Sequence, residues 1–304
     1  MTAVAVLGLG AMGLPTATRL AGEFTVSAFD VSAARRELAA AAGVRPAGDP
    51  AAAVTAGGIV LLAVRDEAQV RQALFGTDGA AAALGEGGLV VLTSTIGPDA
   101  ARTLAAELAG SGIALVDAPV SGGPARAGAG DLLIVVGAAA EPLARARPVL
   151  DRLASTLAVV GERPGDGQAM KTVNQLLAGV HIAAAAEAVA LARAFGLDAE
   201  TVVATLSAGA AGSFMLADRG PRMAQAYGEH ADEVEVRSRL DIFVKDMGIV
   251  TDAGRAARVP LPLAAAAQQL YLLGHTAGMD ARDDSSVVTL LSPPGSAPTD
   301  PTEG

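Results

Sequence analysis

The sequence predicts an α/β fold, a doubly wound and mostly parallel sheet followed by an all-helical C-terminal domain. Three observations predict it. Up to about residue 160, short apolar runs alternate with helical segments, the pattern of strands buried on both faces and covered by helices. A single long helix then reads over 168–194, with no proline and one interior glycine, Gly179. The chain beyond that helix is helical again, with Pro260 and Pro262 separating the last two long segments. The 304 residues leave room for two domains. The expected division is 1–163, then 164–291, then a proline-rich polar tail over 292–304 that reads as disordered.

The first strand, 3–7, runs into Gly8, Gly10 and Gly13, spaced G-x-G-x-x-G, and a helix continues over 14–21. A second strand, 25–29, ends at Asp30, 22 residues after Gly8. A glycine triplet alone is a weak signal. Between a strand and a helix, with an acidic residue at this distance, it is the fingerprint of a Rossmann-like dinucleotide site. Backbone N–H groups at the helix start bind the pyrophosphate, and glycine lets the chain approach it. Asp30 suits the ribose hydroxyls and repels a 2′-phosphate, which favours NAD over NADP. Arg35 and Arg36 point the other way, since a guanidinium accepts a 2′-phosphate, although both sit within the next helix.

Further strands read over 59–64, 89–92, 113–116, 132–136 and 157–160, with helices at 98–109 and 142–153. Ligands in such sheets bind beyond the carboxyl ends of strands. Two strand ends are equipped for that. Thr93-Ser94-Thr95 precedes Gly97-Pro98, either a ligand contact or an ordinary N-cap. Asp117-Ala118-Pro119-Val120-Ser121-Gly122-Gly123 offers a hydroxyl and exposed N–H groups suited to a carboxylate, or a plain turn.

On the long helix, Lys171, Asn174, Gln175 and Ala178 share a face, flanked by Met170, Val173, Leu176, Leu177, Val180 and Ile182. A lysine there either snorkels to solvent or works as an acid/base, because desolvation brings its pKa toward neutrality. The dinucleotide motif and Asn174 one turn on favour the second, and the site is expected between the domains. Asp241 and Lys245, four apart, suit a surface pair. His181, His230 and His275 show no metal spacing and read as structural or surface residues.

Zero cysteines exclude disulfides and thiolate chemistry and fit a reducing compartment. A net charge of -10 argues against nucleic acid and anionic membranes as partners. With no signal-like start, and with charged residues inside the apolar helix, the reading is cytoplasmic, with no membrane span and no bound metal.

Together these motifs resemble the beta-hydroxyacid dehydrogenase family, which includes 3-hydroxyisobutyrate dehydrogenases and tartronate semialdehyde reductases. The likeness runs from Val6 to about Leu291 through Gly8-Leu9-Gly10-Ala11-Met12-Gly13, Asp117 to Gly123, Gly165 to Asn174, and Lys245-Asp246. It implies Lys171 as catalytic acid/base and Asn174 as its substrate-bonding neighbour. Ser121, Gly122 and Gly123 would hold the substrate carboxylate, with Gln175 and Phe214 also on the substrate. Gly8, Leu9, Gly10, Ala11, Met12, Gly13, Asp30, Val64, Thr95 and Lys245 would contact NAD.

Within the family the chain is most similar to the L-threonate and related four-carbon acid-sugar dehydrogenases. That likeness is in the run from Asn174 to Ala188, in Asp241 to Val250 and in Asp283-Asp284-Ser285, with Gln175 where a second asparagine is commoner. It implies oxidation of the secondary hydroxyl of a small hydroxy-acid by a homodimer or homotetramer. L-threonate is the expected substrate, and 3-hydroxyisobutyrate or tartronate semialdehyde chemistry is the alternative. Imine reductases resemble the architecture without the lysine. A dinucleotide-binding module without turnover is the reading of another class. The acidic stretch 228–235 has no counterpart.

Overall fold

The computed structural model describes residues 2–228 and 233–292. His230, the middle of the acidic stretch 228–235 and all of the expected tail beyond Ser292 lie outside the described residues. The chain divides into two compact units, 1–172 and 173–304.

In the first unit, β1 (Ala3–Leu7) pairs in parallel with β2 (Thr25–Phe29) on one side and β4 (Ile59–Leu62) on the other. β3 (Arg45–Pro46) extends the sheet beyond β2, while β5 (Leu89–Leu92) and β6 (Ala114–Asp117) extend it beyond β4, all in parallel. Antiparallel pairing enters where β8 (Leu132–Gly137) meets β6 and the short β7 (Val120–Ser121), and β9 (Ala154–Gly161) then lies parallel to β8. The order is β3-β2-β1-β4-β5-β6-β8-β7 with β9 on β8. Connections leave β1 toward β2 on one side and reach β4 on the other, so the loop after β1 sits at a topological switch point, where such sheets bind ligands.

Helices α1 (Gly13–Ala21), α2 (Ala33–Ala41), α3 (Glu67–Phe75), α4 (Ala80–Leu84), α5 (Pro98–Ala109), α6 (Gly123–Ala129) and α7 (Ala140–Leu153) cover the sheet. Alternation along β1 divides the core in two. Val4 and Val6 pack into one apolar cluster, Ala5 and Leu7 into the other, as a two-residue period requires. Two strand boundaries differ from the sequence reading in ways that matter. β4 stops at Leu62, because Ala63 and Val64 turn away and the Val64 N–H donates to Ser94 Oγ at 2.9 Å. β6 is shifted one residue and includes Asp117, which pairs with Gly137.

α8 (Asp166–Ala194) begins in the first unit and runs through residue 173 into the second. By length and composition it is apolar enough to cross a membrane, yet half of its most apolar window is buried in the protein. Gly179 has a packing cause: a Cβ there would collide with Met247 Sδ, and its carbonyl accepts from the Tyr271 hydroxyl at 2.9 Å. The rest of the helical unit comprises α9 (Ala199–Ala208), α10 (Phe214–Gln225), α11 (Leu240–Ala257), α12 (Pro262–Thr276) and α13 (Val288–Leu291). Its core gathers Ile182, Ala186, Val189, Met223, Met247 and Tyr271.

Asp283-Asp284-Ser285 belongs to the fold. Asp283 accepts from Arg222 Nε at 2.9 Å and from the N–H groups of Arg237 and Ser238, and Asp284 pairs with Arg219 at 3.1 Å. Despite its burial, hydrogen bonds from Ser285, Arg222 and the Arg237 N–H hold the Asp283 carboxyl below its ordinary range. One apolar face near the start of α8 is left open. Met170, Val173 and Leu177 are about half exposed, because the face that packs is the one carrying Thr172, Gln175 and Ala178.

Candidate active site

In the first unit, Gly8 has φ +94 and a Cβ there would lie 2.6 Å from the Ala63 carbonyl oxygen, while a Cβ on Gly13 would collide with the Gly8 carbonyl. Those two glycines are demanded by the turn. Gly10 is not: a Cβ there meets nothing within 4 Å. Packing gives no reason for glycine at Gly10, and approach of a ligand to the backbone does. The loop lies against Asp30, whose Oδ2 accepts from Leu9 N at 2.7 Å and whose Oδ1 accepts from Ser32 N at 2.8 Å. Each carboxylate oxygen retains a lone pair for a further donor. The N-cap of α1, Met12, makes no side-chain cap among the described residues, and its first turn carries no acidic residue, so its N–H groups suit a phosphate. These residues fit a dinucleotide. Arg36 donates from Nη1 to Asp30 O at 2.5 Å and lies over the Phe29 ring, which ties it to the end of β2.

Val64 borders the glycine loop, its Cγ1 2.9 Å from where a Gly8 Cβ would stand. The N-cap alternative for Thr93-Ser94-Thr95 does not hold, because α5 is capped by Gly97 without a side-chain bond. Thr93 Oγ1 instead donates to Leu62 O at 2.6 Å and Ser94 Oγ to the same carbonyl at 3.3 Å, while Thr95 is half-buried. Ser121 is half-buried on β7, and Gly122 and Gly123, with φ +143 and +78, turn the chain into α6.

A polar cluster that the sequence reading left without a role fixes the first turn of α8. Gln168 is fully buried and uses its whole amide. Oε1 accepts from Ile96 N at 3.0 Å and Gly97 N at 3.1 Å, while Nε2 donates to Ser94 O at 3.0 Å and Asp117 Oδ1 at 3.0 Å. Asp117 Oδ2 accepts from Gly165 N at 2.8 Å and Gln168 N at 2.9 Å, so a buried aspartate on β6 caps the helix from across the sheet. Gly167 allows that approach, since a Cβ there would lie 2.9 Å from the Asp117 carbonyl. Burial pushes the Asp117 carboxyl above its ordinary value, against the pull of these N–H donors. Lys171 follows Gln168 by one helical turn and is half-buried. An acidic residue ending a buried strand, with a glutamine opening an apolar helix, was the signal available in the sequence.

In the helical unit, Asn174 Nδ2 donates to Gln175 Oε1 at 2.9 Å, and Gln175 Nε2 donates to Asp246 Oδ2 at 2.5 Å. Lys245 Nζ lies 2.7 Å from Asp246 Oδ1. Asp241 does not lie at the surface: it is buried and bonds Arg239 Nη2 at 2.6 Å. Phe214 is 70% exposed at the start of α10. His181 is half-buried on α8, and His275 Nδ1 lies 2.7 Å from Asp280. Among the described residues no cluster of three metal-ligating side chains occurs.

Comparison with known proteins agrees with this chemistry. The family profile described as the NAD binding domain of 6-phosphogluconate dehydrogenase matches residues 3–161. The profile described as NAD-binding of NADP-dependent 3-hydroxyisobutyrate dehydrogenase matches residues 165–291. The chain therefore belongs to the 3-hydroxyisobutyrate dehydrogenase-like beta-hydroxyacid dehydrogenases, NAD(P)-dependent oxidoreductases acting on hydroxy-acids. It is 39% identical over 95% of both chains to the L-threonate dehydrogenase of Cupriavidus necator. It is also similar to the crystal structure of 3-hydroxyisobutyrate dehydrogenase from Salmonella typhimurium, with a TM-score of 0.85 and 35% identity over 95% of this chain and 100% of that one. A relative at 31% identity over 95% of both chains, from Escherichia coli, is a 3-sulfolactaldehyde reductase.

Proposed function

We propose that this enzyme oxidises the secondary hydroxyl of a small polyhydroxy acid, L-threonate by preference, to the 2-oxo acid with NAD. The observation that carries this reading is Lys171 one turn beyond the Gln168–Asp117 clamp, with Asn174 on the same helical face. Lys171 Nζ takes the hydroxyl proton as the carbon–oxygen double bond forms, and in reverse its ammonium returns that proton. The nicotinamide, when bound, accepts the hydride from the same carbon. Asn174 holds the substrate, with Gln175 behind it and Phe214 on the approach, and Ser121 with the N–H groups of Gly122 and Gly123 receives the carboxylate.

Gly8 to Gly13, Val64, Thr95 and Lys245 hold the cofactor, and Asp30 selects NAD by repelling a 2′-phosphate. Arg36, occupied by the Asp30 and Val31 carbonyls, is not committed to such a phosphate. The name of the C. necator relative supports L-threonate, and the name of the Salmonella structure supports 3-hydroxyisobutyrate as the second reading. The half-exposed stripe Met170, Val173 and Leu177 supports assembly as a homodimer or homotetramer, which light scattering of the purified protein checks.

The test is reduction of NAD or NADP by the purified protein with L-threonate, D-erythronate, 3-hydroxyisobutyrate, glycerate and serine. The expected outcome is highest kcat/KM with L-threonate and NAD. Turnover confined to 3-hydroxyisobutyrate replaces the substrate and keeps the mechanism. Silence with every hydroxy-acid, despite NAD binding, contradicts the reading.

A further inference from the structure

The amides of the helical unit form a chain with a fixed direction. Asp246 on α11 is 3% exposed and Gln175 on α8 is 7% exposed, so neither exchanges freely with water. A carboxylate accepts hydrogen bonds and cannot donate them. The Gln175 group facing Asp246 Oδ2 at 2.5 Å is therefore its NH2. That turns Gln175 Oε1 toward Asn174, and a carbonyl oxygen can be met only by the Asn174 NH2, which lies 2.9 Å away. The asparagine carboxamide is planar, so with one N–H spent on Gln175 it has Oδ1 and one remaining N–H to offer. Lys245 Nζ, 2.7 Å from Asp246 Oδ1, holds the aspartate at the far end of the chain.

We propose that Asp246 and Gln175 are positioning residues that set the polarity of Asn174, so that the substrate group it receives is a hydroxyl and not a carboxylate. A hydroxyl donates to Oδ1 and accepts from the remaining N–H. A carboxylate satisfies only the N–H and faces Oδ1 with like charge. The chain thus assigns the two ends of the substrate. It rests on the proposed contact of Asn174 with substrate, and it explains why a glutamine at position 175, which reaches Asp246, belongs with a polyhydroxy substrate.

Two variants test it. In Asp246→Asn the amide can accept or donate, so Gln175 loses its compulsory orientation; in Gln175→Met the chain is cut. The first readout is the side-chain amide signal of Asn174 in 1H–15N spectra, which needs no turnover. One Asn174 amide proton is expected downfield and exchange-protected in the wild type, and both features are lost in either variant. The second readout is steady-state kinetics. KM for the polyhydroxy acid is expected to rise about tenfold, the loss of one well-made hydrogen bond, with a smaller change in kcat and an unchanged Kd for NAD in Gln175→Met. Asn174 signals unaltered in both variants, or an unaltered KM, overturn the proposal. An altered Asn174 signal in a protein that turns over no hydroxy-acid leaves the amide chain standing and removes the proposed activity.

Discussion

Gln168 and Gln175 stand seven residues apart on α8, nearly two helical turns, and each is held by a buried aspartate, yet the two networks end differently. Around Gln168 every donor and acceptor of the amide is used, and three of its partners are backbone groups of the segment from Ser94 to Gly97. Around Gln175 the bonds pass on to Asn174, whose Oδ1 they leave unspent. A closed network of buried polar groups fixes a backbone; an open one fixes the direction of a side chain. The first belongs to stability and to where Lys171 stands, the second to how the Asn174 amide is turned.

The comparison breaks most visibly in stability. Gln168→Met strands Asp117 Oδ1, two N–H groups and a carbonyl in a site that water does not reach. A loss of about 4 kcal/mol or more is expected, since four buried groups lose their partner and each costs roughly 1–3 kcal/mol. Gln175→Met strands fewer groups, and about 1–2 kcal/mol is expected for it. Urea unfolding of both variants measures the difference, and equal losses would erase the distinction between closed and open networks.

Asp117 supplies a finer cut. Its folded pKa is raised above 3.8, chiefly by burial, so the folded state binds a proton that the unfolded state has released. This contribution to stability is fully present below pH 3.8 and is lost as pH rises through the folded value. The stability of the wild type relative to Asp117→Asn is therefore expected to fall across that window and then level off. A series of urea melts from acid to neutral pH reads the slope, and a rising difference contradicts the account.

The smallest effect on stability is expected at Asp30, which accepts two backbone bonds, one of them from the exposed Ser32. Asp30→Ser is expected to move the ratio of NAD to NADP efficiency by about tenfold, or roughly 1.4 kcal/mol, with little change in unfolding. An unchanged ratio would remove Asp30 from cofactor selection.

Much of this was legible in the sequence, for reasons that particular residues make clear. Gly8, Gly13 and Asp30 announced the first turn because that backbone admits few alternatives. The strands announced themselves because parallel strands are apolar on both faces. Lys171 and Asn174 stood out because polar side chains on an alanine-rich helix need a cause. Gln168, Asp117 and Asp246 were written in the same motifs, but their roles depend on partners 48 to 74 residues away, and spacing carries no such information. The N-cap alternative at Thr93-Ser94-Thr95 failed for a related reason. The Thr93 and Ser94 hydroxyls bond back to Leu62 of β4, some 30 residues earlier.

The most direct test of the account is Lys171→Ala, measured both for turnover of the best hydroxy-acid and for NAD affinity. Loss of the general base is expected to lower kcat by roughly two to four orders of magnitude, with the Kd for NAD within about twofold of the wild type. Turnover that survives the substitution, or NAD binding that disappears with it, would contradict the role given to Lys171.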